Sequence, residues 1–416
     1  MYTARIDERI GIGGFRAPLW IAALALLVSR RPDAIAKAQF WAEDGSVFFA
    51  DAWNRGALQS LALSYAGSFH ALQRGVAALA LLVPLRFAPL LCNAIALGIQ
   101  LGTASFLASG RLAQAVPQPR VRLGLAFLYL ALPNTSEIHG NLTNSQWHLM
   151  LLACLVLLAG PARSRRARGA DLGIVGLAAF TGPFCVPLLA VAALRFGMTR
   201  AARLRAPLLL LGAGAAAQVA LLLGRGIDRG EMPLAATPRL LAEIVGGHVF
   251  VAGLVGRQGL AWLEAHAGGV ALLLWIAFAL GGALFAFALL RGPVELRLLA
   301  FFAALVGAMA LAVPTASWPL LRPANAANRY WFAALLAFQA SLVFALGPRH
   351  PRALRLAAAS ALLLLPIGIA LDWQHPRYRD LRFRWHARRL ERAPAGAEVA
   401  IPLNPGGAWV MRLHKR

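Results

Sequence analysis

This chain has little acid, almost no lysine and hardly any cysteine, and each shortage narrows what it can be. Seventeen Asp and Glu stand against 41 Lys and Arg in 416 residues, a formal net charge of +24. Charged residues make up only 14% of the chain and hydrophobic ones 59%, with a mean hydropathy of +0.63. That profile excludes an ordinary soluble enzyme and reads as a polytopic membrane protein. Lys37 and Lys415 are the only lysines. The other cations are arginines dispersed along short loops between apolar runs, as the positive-inside rule produces, so no nucleic-acid partner is expected. Cys92, Cys154 and Cys185 all fall in apolar segments and read as small core residues, not as a disulfide framework or a metal site. A small-residue cleavage site is also missing. The first apolar run follows Arg5, Arg9 and Arg16 and meets Arg30 and Arg31, as a retained signal anchor would.

Apolar runs near 12–30, 87–109, 121–138, 147–161, 205–224, 268–290, 297–314, 331–347 and 355–371 are candidate membrane helices. The stretch 172–196 is broken by Thr181-Gly182-Pro183 and reads as a re-entrant or tightly folded helix pair with its apex toward the outer face. Ala71 to Leu85 carries Gln73 and Arg74 and is short for a span, so it reads as an amphipathic helix at the interface. Were it to cross, Arg111, Arg120 and Arg122 would face outward. The segment 238–260, with Arg239, Glu243, His248 and Arg257, reads similarly.

The expected fold is an all-α membrane protein, a polytopic transmembrane helix bundle of about 11 helices with interfacial helices in the first outer loop. Residues 1–371 would form the helical domain, 31–86 its first outer loop and 372–416 a small extracytoplasmic C-terminal segment. Arginine placement puts the N-terminus in the cytoplasm and the C-terminus outside, in a bacterial cytoplasmic (inner) membrane. On that topology only Asp7, Glu8, Asp171 and Glu295 are cytoplasmic; the other thirteen acids, Asp228 among them, fall outside. Polar function therefore concentrates on the outer face. The chain shows no internal repeat, which counts against an inverted-repeat transporter.

The acids that stand out are Glu43 and Asp44, in Trp41-Ala42-Glu43-Asp44-Gly45 directly after the first span. Carboxylates near a bilayer are costly and tend to persist for a function, although Asp-Gly is also turn chemistry. Phe40, Trp41, Phe48 and Phe49 would seat the pair at the lipid–water boundary. Asp51, Tyr65, His70 and Arg74 follow in the same loop. A second outer cluster runs from Pro133 through Glu137 and His139 to Asn144, Trp147 and His148, and a third holds Arg322, Asn325, Asn328, Arg329 and Tyr330. A fourth, in the tail, spans Pro402 to Trp409. Taken singly, Trp147 and Tyr330 suit an aromatic belt, and Glu137 suits a supporting role or a cap for a helix beginning near Asn144. His139 and His148 have no third partner for a metal.

Taken together, the clusters suit a lipid-phosphate sugar donor. A carboxylate would deprotonate an acceptor hydroxyl, and cations would stabilise the departing phosphate. Arg329 and Arg74 are the candidate phosphate partners. Tyr65, His70, Glu137, Asn144, Trp147 and Tyr330 complete the candidate binding residues. No cofactor is specified, and a divalent metal stays open.

The Glu43-Asp44 pair after the first span, the surface helix behind it, the Thr181-Gly182-Pro183 break and Asn328-Arg329-Tyr330 before a late span give a layout that resembles the GT-C superfamily of polytopic glycosyltransferases. Over most of 1–371 it is similar to the aminoarabinose and protein O-mannosyl transferases. The resemblance implies inverting transfer from a polyprenyl-phosphate-linked sugar to a cell-envelope acceptor (glycan, lipid or protein) on the outer side. It implies a first-loop acidic base, by position Asp44, with Glu43 as alternative or helper. The acidic metal-binding motif of a later loop has no clear match. Rival readings are a polysaccharide polymerase, a lipid-linked glycan transporter or flippase, and a scaffold. A transporter would carry polar residues along several spans, where only Gln100, Gln218 and Gln339 stand out.

Overall fold

The computed structural model describes residues 17–225, 233–312 and 317–416. Arg5, Asp7, Glu8, Arg9, Arg16 and Asp228 lie outside them, as do both the start of the run expected from residue 12 and the end of the one at 297–314. The long helices are α1 (Ala17–Arg30), α2 (Ala71–Ala80), α3 (Ala88–Ala108), α4 (Pro119–Ala131), α5 (Ser145–Leu158), α6 (Arg165–Ala179), α7 (Cys185–Thr199) and α8 (Arg205–Arg225). They continue as α9 (Pro238–Val245), α10 (Ala252–His266), α11 (Val270–Arg291), α12 (Val294–Ala312), α13 (Phe332–Ala345), α14 (Arg352–Leu371) and α15 (Phe383–Arg392). An antiparallel hairpin of β1 (Glu398–Pro402) and β2 (Val410–His414) closes the chain, and it is the departure from the all-α expectation.

Among the described residues six helical runs are long and apolar enough to cross a membrane: Leu85–Ala108, Ala202–Gly224, Pro238–His266, Val270–Arg291, Val294–Ala312 and Arg352–Leu371. The chain is a multi-pass membrane protein. α2 is too short to span: its 10 residues cover about 15 Å against a hydrocarbon core of about 30 Å. It buries Leu72, Arg74, Val76 and Ala77 against the bundle and leaves Leu79 exposed.

Length alone misleads for Pro238–His266. A π turn at Gly246–Val251 and a break at Gly256 (φ +78°) interrupt it. Arg322 then pairs with both of its ends, Nε lying 3.1 Å from Glu243 and Nη1 3.4 Å from Glu264. A straight helix would hold those glutamates about 30 Å apart. The run therefore doubles back to one face of the bundle. Asp372 closes the bend, accepting from the backbone N–H of Arg257 at 2.6 Å and of Gln258 at 3.2 Å.

The two ends of the bundle differ in chemistry. At one, Arg111 binds Asp171 through Nη1 and Nη2 (2.6 and 2.8 Å), Arg203 donates to the Ala159 carbonyl at 2.6 Å, and Arg195 meets Glu295 at 3.3 Å. At the other gather the first loop, the 133–144 loop, the turn between α6 and α7, the turn before α13, and the tail. In the tail, Val399, Ile401, Met411 and Leu413 point to one side of the hairpin and pack with Phe383, Ala387 and Leu390 of α15. The hairpin docks on the first loop, where Trp53 Nε1 donates to His414 O at 2.8 Å and Asn54 Nδ2 to Arg412 O at 2.9 Å.

Candidate active site

Two buried arginines at the end of α1 shape the 133–144 loop. Arg30 donates to the carbonyls of Leu130 (2.7 Å) and Leu132 (3.0 Å), and Arg31 to those of His139 (2.6 Å) and Ser136 (2.9 Å). Each spends its charge on backbone acceptors that an irregular buried loop would otherwise leave unpaired. Arg31 also lies over the Tyr378 ring at 5.1 Å, which ties the loop to the tail. Within the loop, Asn141 and Asn144 both donate side-chain N–H groups to the Glu137 carbonyl, at 2.8 and 3.0 Å. Asn144 is thus a buried brace, not a ligand-facing group, and Glu137 does not cap α5.

The acidic pair divides. Phe40, Phe48 and Phe49 are buried in protein, Phe40 packing on Phe49 (5.0 Å) and on Phe383 of the tail (5.4 Å), so they hold the segment in the fold and not at a lipid boundary. Asp44 opens a π turn, Asp44–Phe49, and points inward with 0% exposure. Its carboxylate accepts from the Leu142 N–H at 3.1 Å and from both the N–H and the hydroxyl of Thr143. Burial pushes its pKa up to about 7, opposed by those three donors and reinforced by Glu43. The expectation of Asp44 as base meets a carboxylate that is sealed and fully engaged.

Glu43 is half-buried, and no other described residue hydrogen-bonds to its carboxylate. Burial raises its pKa; the Arg329 charge opposes that shift and Glu137 adds to it. Tyr65 feels the Glu43 charge as well: burial, then Glu43, raises its phenol. The residue before the pair, Ala42, holds a positive φ of 38° while its N–H donates to Asn404 of the tail. Such a backbone is uncommon outside glycine and needs support from its surroundings.

Around Glu43 the candidates fall into open and closed groups. Arg329 is open: its side chain is 34% exposed, it pairs with Glu137, and it lies 4.6 Å over the Tyr330 ring. Trp147 is buried against Phe184 (4.7 Å) and Tyr330 (5.7 Å), so it lines the protein interior and not a lipid belt. Its indole N–H has no hydrogen-bond partner among the described residues. Arg74 is closed, 1% exposed and bound to Asp51 at 3.1 Å, so it does not face a lipid phosphate as expected. His70 is buried on Phe48 (5.2 Å) with Nε2 3.2 Å from the Tyr65 carbonyl, and burial pushes its pKa down to about 4.

Deeper in, His139 and His148 are used structurally, the first on the Leu27 carbonyl (2.9 Å), the second between the Tyr129 hydroxyl (2.7 Å) and the Ile138 carbonyl (3.2 Å). They line a cavity of about 10 Å³, room for a single water. Among the described residues no three His, Cys, Asp or Glu side chains converge as metal ligands. Sequence reasoning missed Asp372, Thr143, Tyr378 and the roles of Arg30 and Arg31. Asp372 carried a signal, a lone acid directly after an apolar run; Thr143 carried none.

No protein-family model matches this chain, and no curated protein is significantly similar to it.

Proposed function

We propose that this chain is a membrane glycosyltransferase with a GT-C-like layout, moving a sugar from a polyprenyl-phosphate donor to a cell-envelope acceptor. The observation that carries the reading is Glu43, a half-buried carboxylate that no other described residue hydrogen-bonds, set in the field of Arg329 and Glu137. In this reading Glu43, not Asp44, takes the proton from the acceptor hydroxyl as its oxygen attacks the anomeric carbon. The bond from that carbon to the phosphate oxygen breaks, and polyprenyl phosphate leaves as an anion stabilised by Arg329. Trp147 and Tyr330 line the flank. Asp44 positions Glu43 through Thr143.

The reading also places the site on the outer face of a bacterial cytoplasmic membrane, with the N-terminus inside, the tail outside and about 11 membrane helices. Its test is mass spectrometry of surface glycans and lipid-linked sugars in cells with and without the protein. Accumulated lipid-phosphate sugar with loss of one glycan decoration supports a transferase. A lipid-linked repeat trapped on the cytoplasmic side marks a flippase and overturns it.

A further inference from the structure

Helix α15 carries four exposed arginines against a single acid, Glu391. Its side chains Phe383, Ala387 and Leu390 are buried in the tail, which leaves Trp385 as the large apolar side chain that the helix exposes. The other face carries Arg384, Arg388, Arg389 and Arg392, all exposed. Among the described residues, none of these four guanidiniums lies within ion-pair distance of a carboxylate. Two acids share this surface: Glu391 on the helix, which makes no ion pair among the described residues, and Glu398 at the groove, which is engaged by Arg412 at 2.7 Å. Four crowded arginines against the one carboxylate of Glu391 leave the helix surface net positive and favour an anion there. The neighbouring His386 registers it, its pKa lowered by burial and then by Arg389.

The surface is concave and has an aromatic wall. Trp385, Arg388, Arg389 and Arg392 line a groove of about 550 Å³ together with Pro394, Ala397 and Glu398, whose carboxylate Arg412 holds. Trp385 is 56% exposed, and the Arg389 guanidinium sits 5.9 Å from its ring centre. A groove of this volume suits a discrete ligand. An exposed indole offers a flat apolar platform, and arginine forks fit carboxylate or phosphate oxygens.

We propose that this groove binds an acidic saccharide, its anionic groups on Arg388, Arg389 and Arg392 and a sugar ring on Trp385. A helix that docks on lipid headgroups presents a row of apolar side chains to the bilayer, and α15 exposes the single indole of Trp385, its Phe383 and Leu390 being buried. The groove shares no residue with the Glu43 site, so the proposal goes beyond the transferase reading and is tested without turnover.

The test uses the full-length protein in phosphatidylcholine nanodiscs, titrated calorimetrically at low salt with tetragalacturonic acid, with neutral cellotetraose, and with soluble short-chain phosphatidylglycerol. The expected result is binding of the acidic tetrasaccharide, weakened on the order of tenfold for cellotetraose and for the Arg388→Ser, Arg389→Ser, Arg392→Ser triple variant. Trp385→Ala weakens it too. Should the triple variant fail to fold, the single Arg388→Gln variant, which breaks no hydrogen bond or ion pair among the described residues, carries the comparison. Equal binding of both saccharides, no saccharide binding, or Arg388-dependent binding of the lipid alone each overturns the proposal.

Discussion

Asp44 and Thr143 meet across the first loop, and Thr143 gives the carboxylate both its backbone N–H and its hydroxyl. Leu142 adds a third donor at 3.1 Å. A buried carboxylate is tolerable only when donors replace the lost water, and these three do so. Successive residues of a helical turn point in directions about 100° apart, so fixing Asp44 inward turns Glu43 outward. Adjacency in sequence thus becomes division of labour in space.

Asp44→Asn is expected to lower stability by about 1–3 kcal/mol, because the amide –NH₂ cannot accept from the facing donors. Thermal unfolding in detergent measures it. The wild type also carries a pH signature. Burial raises Asp44 from its ordinary 3.8 to about 7, so the folded state holds this proton more tightly than the unfolded chain. Stability should therefore be greatest below that lower value and fall as pH rises toward 7. Asn at 44 removes this component of the slope; an unchanged slope would disprove the assignment.

Glu43→Gln is expected to cost transfer on the order of 10²–10⁴-fold in kcat/KM while leaving the melting temperature unchanged. Because burial raises the Glu43 pKa and a base must be ionised, wild-type activity should climb with pH through a limb above the usual carboxylate range. Retained activity in this variant sinks the base assignment.

Arg322 pairing with Glu243 and Glu264 requires both ends of the 238–266 run to face one side. In a background lacking Cys92, Cys154 and Cys185, cysteines placed at Ala236 and at Gly268, both exposed, should react with a membrane-impermeant thiol reagent from the same side. Labelling from opposite sides would show that the run crosses the membrane.

Much of this was legible in the sequence, and the limits have physical causes. Apolar length located the helices because lipid demands it, and the eight runs expected between 87 and 371 each carry one of them. The acid pair marked the right place because charge is scarce there. The inward or outward aim of each acid was not legible, since it depends on Leu142 and Thr143, far along the chain. Arg74 misled for the same reason: its partner Asp51 lies 23 residues earlier, and only the fold shows that the pair closes on itself. Phe40, Phe48 and Phe49 looked like lipid anchors because a core against the tail and a core against lipid have the same composition.

Gly182 offers the last test, of what positions the first loop. It holds φ +71°, and a Cβ there would stand 2.6 Å from Gln146 Oε1 and 3.2 Å from the Phe184 ring. Its N–H donates to the Phe69 carbonyl at 2.7 Å, and Thr181 Oγ1 accepts from the Leu72 N–H at 3.1 Å. The break in the helix pair thus pins the start of α2, and with it His70 and Tyr65. Gly182→Ala should cost about 1–3 kcal/mol from the left-handed backbone and the close contact together. The loss should be local: amide hydrogen exchange at residues 69–74 should quicken before that of α3. Global quickening alone would mean that Gly182 only fills space, whereas unchanged exchange at 69–74 would show that the loop holds its place without the turn.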